Sequence, residues 1–146
     1  SALHFLDNDL DHEHLGGTVT WSEPAEIQQV TFYIVYFAGS GTGQGRTQVG
    51  LDVSAGVTAI DVPTNYLRGN SSHVLTYTRS TLCEQTTPIA FAVSDAVASV
   101  ANVSFTDLDL DPLELGGTVT WEKPEKDAFQ VTHYVVYLSV EPGGGN

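Results

Sequence analysis

The stretch Leu15-Gly-Gly-Thr-Val-Thr-Trp21 occurs twice in this chain, the second time unchanged as Leu115-Gly-Gly-Thr-Val-Thr-Trp121. Polar and apolar residues alternate from Thr18 to Trp21, which is the period of a β-strand with one buried face. In such a strand the tryptophan faces the core. The heptapeptide therefore predicts a half-buried strand in each of two similar units.

The repeat extends on both sides of the heptapeptide. Upstream, Phe5-Leu-Asp-Asn-Asp-Leu-Asp11 matches Phe105-Thr-Asp-Leu-Asp-Leu-Asp111, and downstream Val30-Thr-Phe-Tyr-Ile-Val-Tyr36 matches Val131-Thr-His-Tyr-Val-Val-Tyr137. A period of about 100 residues is the size of one sandwich domain. We predict a complete repeat over residues 1–97. Residues 98–146 would be the first half of a second repeat, strands A to C, which we expect a neighbouring subunit to complete.

Short segments rich in β-forming residues follow at 57–62, 73–78 and 89–93, and Pro63, Gly69 and Pro88 separate them. No window has the 3.6-residue period of an amphipathic helix. The sequence therefore predicts an all-β fold.

The strand order resembles that of the fibronectin type III family. In both repeats a tryptophan is followed closely by proline, at Trp21 and Pro24 and at Trp121 and Pro124, and a tyrosine-rich third strand comes next. The resemblance implies a fibronectin type III-like or immunoglobulin-like β-sandwich, a fold that hosts adhesive, structural and receptor modules. The aromatic core positions expected are Trp21, Tyr33, Tyr36, Tyr77, Trp121, Tyr134 and Tyr137, with Val19, Val35, Ile60, Leu75, Phe91 and Val93 beside them in the first repeat.

The charge excludes several partners. Five Lys and Arg residues against 18 Asp and Glu give a net charge of −13. Nucleic acids and anionic membrane surfaces both require basic residues. No apolar run approaches the roughly 20 residues of a membrane span. We expect neither nucleic acid binding nor membrane insertion of this segment.

Carboxylates recur at every second position in two acidic stretches. On a strand they would share one face, so their charges repel unless a cation bridges them. One interpretation is a calcium site, and the other is a solvated acidic edge that discourages aggregation. The spacing of an EF-hand is absent, and no other cofactor is indicated. The calcium candidates are Asp7, Asp9, Asp11, Asp107, Asp109 and Asp111.

Two sequons, Asn70-Ser-Ser72 and Asn102-Val-Ser104, predict N-linked glycans. Asn70 lies in an expected turn and Asn102 in the connection between the repeats, so both would be exposed. Glycosylation would place the protein outside the cell or at its surface. The single cysteine, Cys83, is either a small buried or half-buried thiol or half of an interchain disulfide.

No group of residues has the pattern of a catalytic site, so we do not expect an enzyme. The repeat, the sequons and the half repeat predict a structural subunit of an extracellular fibre or surface appendage. Copies would polymerise through β-sheet complementation between subunits, in a linear or helical row. The alternative is an adhesive module of a longer secreted protein that binds carbohydrate or depends on calcium.

Overall fold

The computed structural model describes residues 2–140. Their regular structure consists of ten β-strands and one 3₁₀ turn at Ala128–Gln130. The prediction of an all-β fold is confirmed. The strands are β1 (Leu3–Phe5), β2 (His14–Trp21), β3 (Phe32–Ala38), β4 (Thr47–Gln48), β5 (Val53–Ser54), β6 (Ala59–Leu67), β7 (His73–Arg79), β8 (Ile89–Ala92), β9 (Ala101–Phe105) and β10 (Val119–Glu122).

The first repeat contains two antiparallel sheets. One has the order β1-β2-β6, and the other has the order β4-β3-β7-β8, with β5 also paired to β3. Strand β2 pairs with β6 along most of its length, with Leu15 opposite Tyr66 and Val19 opposite Ile60. Strands β9 and β10 form a separate two-stranded sheet in the second repeat.

The two sheets of the first repeat share one buried apolar cluster. Its members come from alternating positions of each strand, as expected when one face of each sheet is turned inward. Trp21 and Tyr33 meet in this cluster with their ring centroids 5.4 Å apart. The buried members are Leu3, Phe5, Leu15, Val19, Trp21, Tyr33, Val35, Phe37, Val49, Val62, Val74 and Val93.

Tyr36 and Tyr77 do not lie between the sheets, which corrects the expectation that they belong to that core. Together with Ala38 and Leu75 they form a second cluster on the outer face of the larger sheet. Successive side chains of a strand point to opposite faces of the sheet. Because Tyr33 points inward, Tyr36, three residues later, points outward. Arg46 covers this outer cluster, its guanidinium carbon lying 4.5 Å from the ring centre of Tyr36 and 4.7 Å from that of Tyr77.

Glycine is required where the loop after β3 crosses this outer face. Gly43 has φ +92°, and a Cβ added there would lie 2.6 Å from the Tyr77 hydroxyl oxygen. Both the backbone conformation and the contact exclude a side chain. Cys83 lies in the later connection from β7 to β8 and is exposed, so the interpretation as a buried or half-buried thiol is wrong.

The second repeat has fewer paired strands than the sequence predicted. The third strand, expected over 131–137, is not a paired strand, and residues 131–139 have no regular structure. In the first repeat β3 is held by β4, β5 and β7, and the described part of the second repeat has no counterpart of these partners. A hydrogen bond from Val97 N to Asp127 Oδ2, 3.0 Å long, links the two repeats.

Within residues 2–140 there is no helix with the length and apolar character needed to span a membrane.

Candidate interaction surface on the second repeat

The second repeat presents an apolar face to solvent. Val103, Tyr134 and Val136 are 63%, 43% and 51% exposed. With Trp121 and Tyr137 they line a shallow groove of about 210 Å³. Soluble monomers rarely expose a contiguous apolar patch of this kind unless it binds something. We call this the open face, defined by Val103, Val119, Trp121, Tyr134, Val136 and Tyr137.

Five of these six positions are buried in the first repeat, and the exception is Tyr36, the half-buried counterpart of Tyr137. Leu15 is fully buried, whereas its counterpart Leu115 is 59% exposed. Phe5 is 5% exposed and Phe105 is 38% exposed. The expected core residues Trp121, Tyr134 and Tyr137 thus lie outside any buried cluster of the described chain. In the first repeat the cluster of Trp21 and Tyr33 also includes Val62 of β6, Val74 of β7 and Val93 after β8.

The acidic stretch of the first repeat organises backbone rather than presenting a charged edge. Asp7 is buried and accepts three backbone hydrogen bonds: Oδ1 from Asp9 N at 3.1 Å and Gly16 N at 2.9 Å, and Oδ2 from Ala96 N at 2.9 Å. Asp9 accepts from Asp11 N at Oδ1 and from Asn65 N, 2.7 Å away, at Oδ2. The two carboxylates therefore tie the start of the repeat to β6 and to the segment after β8.

The turn itself is the same in the second repeat. Asp107 Oδ1 accepts from Asp109 N and from Gly116 N, each at 3.0 Å, and Asp109 Oδ1 accepts from Asp111 N at 2.9 Å. In the first repeat Asp7 Oδ2 accepts a hydrogen bond from the backbone N–H of Ala96, and Asp9 Oδ2 accepts one from the backbone N–H of Asn65. The described part of the second repeat offers no equivalent of either. The sequence signal that could have revealed this role is the Gly-Gly pair nine residues after Asp7 and after Asp107.

The equivalent carboxyl groups of Asp7 and Asp107 have pKa values shifted in opposite directions, because only Asp7 is buried. Loss of solvation raises the pKa of Asp7, although three N–H donors partly offset the rise. For exposed Asp107 the N–H groups of Gly116 and Asp109 dominate, and they lower its pKa. One turn therefore has opposite pKa shifts in its two copies, because in the first repeat the rest of the fold covers it.

The calcium interpretation fits the two stretches differently. In the first repeat both oxygens of Asp7 and of Asp9 accept hydrogen bonds from backbone N–H groups, so these carboxylates are already used within the fold. In the second, Asp109, Asp111 and Glu114 bring one ligand oxygen each within 4.8 Å. Calcium takes six to eight oxygens. Among residues 2–140 only the second stretch gathers three candidate ligand atoms, and these supply about half a coordination shell.

The two sequon asparagines differ in setting. Asn70 is exposed in the turn between β6 and β7. Asn102 is exposed as well, but it lies inside β9 and not in a loop between the repeats, which corrects that expectation. It sits at a β-bulge with φ +51°, and its Nδ2 donates to Glu122 Oε2 at 2.8 Å. A glycan on Asn102 would have to replace that hydrogen bond, whereas Asn70 is unobstructed.

Protein-family models, curated proteins and solved structures were compared with the chain, and none matches it. The first repeat is therefore the reference for the strands that the described part of the second repeat does not contain.

Proposed function

We propose that the chain is a structural subunit of an extracellular, glycosylated fibre or cell-surface appendage. Its repeats would be fibronectin type III-like or immunoglobulin-like sandwiches, and strands of a neighbouring subunit would cover the open face of the second repeat. The observation behind the proposal is the contrast between Leu15, fully buried, and Leu115, 59% exposed in an identical heptapeptide.

Covering the open face is strongly favourable. Burying one large apolar side chain contributes about 1.5–3 kcal/mol. Trp121, Tyr134 and Val136 all stand at positions whose first-repeat counterparts are buried. Among residues 2–140 strand β10 pairs with β9 alone, so its other edge offers backbone groups that can hydrogen-bond an incoming strand.

The first repeat shows which kind of strand would fit. Strand β2 pairs with β6 so that Leu15 faces Tyr66, Gly17 faces Val62 and Val19 faces Ile60. Moving this register by 100 residues places a β6-like strand with a tyrosine opposite Leu115 and an isoleucine opposite Val119. In a polymer of this chain that strand would be β6 of the neighbour, exchanged out of its pairing with the neighbour's own β2.

The acidic turn fits the same partner. A β6-like strand would bring an N–H equivalent to that of Asn65 towards Asp109, and a following segment would bring one equivalent to that of Ala96 towards Asp107. Carboxylate oxygens bonded to backbone N–H groups form strong, directional contacts. These two aspartates would fix the register, because a strand shifted by one residue places its N–H groups out of reach.

Contacts of this kind produce an open polymer and not a closed dimer. The open face lies on the second repeat and the strands that fit it have the sequence of the first, so the two surfaces differ. A heterologous contact of this type continues from copy to copy in a linear or helical polymer. The net charge of −13 opposes indiscriminate clumping of the covered surfaces.

Self-association tests the assembly. We expect the average mass of the chain, measured by analytical ultracentrifugation, to rise with concentration, and elongated particles to be visible by electron microscopy. A second chain, extended after Asn146 by a duplicate of residues 46–97, carries its own covering strands and should remain monomeric. The matched control is the same extension with Ile60→Asp and Val62→Asp in the duplicate, which should associate again. A chain that stays monomeric at millimolar concentration would overturn the proposal.

Secretory expression tests the location. We expect glycan mass on Asn70 by peptide mass spectrometry, and Asn70→Gln should remove it. Bare asparagine at both Asn70 and Asn102 after passage through a eukaryotic secretory pathway would count against an extracellular glycoprotein.

A further inference from the structure

A groove of about 490 Å³ crosses the surface of the first repeat, between the loop that joins β3 to β4 and the turn that joins β6 to β7. It is distinct from the open face of the second repeat. Small-molecule sites span about 300–1,000 Å³, so the groove has room for a sugar ring and its substituents. Asn70, the asparagine of the first sequon, is one of the residues that line it. A glycan on Asn70 would therefore start beside the groove.

Hydrogen bonds hold both walls of the groove. In the loop, Gly39 N donates to Gln44 O at 2.9 Å. In the turn, Ser71 N donates to Arg68 O, and Arg68 Nε donates to Ser71 O, each at 3.1 Å. Ser72 joins the two walls, since its Oγ donates to Gly39 O at 2.9 Å. A groove that is formed in advance lowers the ordering cost of filling it.

The lining offers accessible polar groups that suit a neutral ligand. Gln44 and Thr47 are exposed, and the amide of the first and the hydroxyl of the second can both donate and accept. Arg68 adds N–H donors. No Asp or Glu is among the described residues that line the groove, although the chain has 18 of them. The oxygens of sugar hydroxyl and acetamido groups can therefore approach without repulsion from a carboxylate.

Leu67 gives the same groove an apolar surface. It is 66% exposed although it lies in β6. Tyr66 beside it is half-buried, with its ring centroid 5.3 Å from that of Phe37. Removing an exposed leucine from water is favourable. The C–H groups and the acetyl methyl group of a sugar attached three residues away provide a surface that can cover it.

We propose that the glycan of Asn70 folds back onto the protein and that its first sugar, an N-acetylhexosamine, occupies this groove against Leu67. The inference rests on the proposed function, because it requires a glycosylated Asn70. Gly45 and Gly69 leave the entrance free: a Cβ at either would have no atom within 4 Å beyond its chain neighbours. The glycan would thus stabilise the first repeat in addition to shielding it.

A sample with one short glycan tests the contact. Ser104→Ala removes the second sequon, and the chain is expressed in a eukaryotic secretory host. An endoglycosidase then trims the glycan on Asn70 to its first N-acetylglucosamine. We expect NMR cross-relaxation between the acetyl methyl group of this sugar and the δ-methyl groups of Leu67. Absence of this signal from a glycosylated sample would overturn the proposal.

Thermal unfolding measures the stabilisation. We expect the trimmed glycan to raise the melting temperature of Ser104→Ala by at least about 4 °C relative to the same chain with Asn70→Gln. Leu67→Gln should reduce this gain to less than half. Leu51→Gln is the matched control, because Leu51 is 84% exposed and does not line the groove, and it should leave the gain unchanged. A gain that Leu67→Gln does not reduce, or that both substitutions reduce alike, would contradict the proposal.

Two kinds of failure can be told apart. Bare asparagine at position 70 would count against the proposed glycoprotein and against this inference together. A glycan that is present on Asn70 but neither contacts Leu67 nor raises the melting temperature would overturn this inference alone. Contacts of Leu67 that persist in Asn70→Gln and grow with protein concentration would assign the groove to a second copy of the chain, and would overturn it as well.

Discussion

The rings of Trp121 and Tyr134 lie with their centroids 5.4 Å apart at an interplanar angle of 60°. Trp21 and Tyr33 have the same separation and angle. Tyr33 is nevertheless 1% exposed and Tyr134 43% exposed. The aromatic pair is therefore formed by the first half of a repeat alone, and its burial depends on the second half.

Replacing each tryptophan by alanine should separate these two contributions. Trp21→Ala should lower the free energy of unfolding by about 3–5 kcal/mol, because it leaves a cavity between the sheets. Trp121→Ala should cost less than about 1 kcal/mol in the isolated chain, since its surroundings are open. Urea unfolding followed by far-UV circular dichroism measures both. Equal losses would show that the two repeats are covered to the same extent.

The equivalent aspartates form a second matched pair. Asp7→Asn places an NH₂ group against one of three N–H donors, and we expect a loss of about 1–3 kcal/mol. Asp107→Asn can turn its NH₂ group to the side that faces solvent in this chain, so the stability should be unchanged. Thermal unfolding of both variants at pH 7 tests this. A destabilised Asp107→Asn variant would mean that Oδ2 of Asp107 already has a donor.

The raised pKa of Asp7 gives stability a pH dependence of definite sign. Burial penalises the charged form, so the contribution of Asp7 to stability is complete below its ordinary pKa. That contribution is lost as the pH rises through the raised value. The stability of the wild type relative to Asp7→Asn should therefore increase as the pH is lowered from 7 towards 4. A relative stability that falls over the same interval would contradict the shift.

Arg46 is expected to stabilise the outer face through its shape as well as its charge. Its guanidinium lies over Tyr36 and Tyr77 and forms an ion pair of 2.8 Å with Glu84. Arg46→Lys keeps the charge but loses the planar stack, and should cost about 1 kcal/mol. The near-UV circular dichroism of the tyrosines should change as well. If Arg46→Lys matches the wild type in both measurements, the charge alone is sufficient.

Local patterns predicted some features well. The alternation from Thr18 to Trp21 was enough to identify β2, because a strand with one buried face has a period of two. The same rule, applied to Tyr33 and Tyr36, would have placed them on opposite faces. The resemblance places Tyr36 in the inner core, and alternation along 73–78 places Tyr77 there, but alternation alone does not say which of the two faces is the inner one. Their burial on the outer face depends on Arg46 and the glycine loop, which no short pattern reveals.

Other features depend on long-range partners. Residues 131–137 have the composition of a strand, but a strand also needs a hydrogen-bonded neighbour, and the described chain provides none. The role of the acidic stretches also depends on residues that are distant in the sequence. The spacing of Asp7 and Asp9 suggested a row of like charges on one face, whereas both side chains turn back onto the backbone, with Gly16 and Asn65 among their donors. The spacing of the aspartates does not show whether they form an exposed charged edge or a turn bonded to the backbone. The positions of the backbone N–H donors decide between the two.

The turn from Asp107 to Gly116 has a consequence for how a repeat folds. It closes over nine residues and has the same side-chain hydrogen bonds as its first-repeat counterpart, although the described part of the second repeat contains no strand after β10. A loop of about ten residues closes in roughly 10–100 ns, far faster than a chain is synthesised. During translation each repeat could thus form its acidic turn first. That turn would hold the tryptophan strand in position until the pairing strands leave the ribosome.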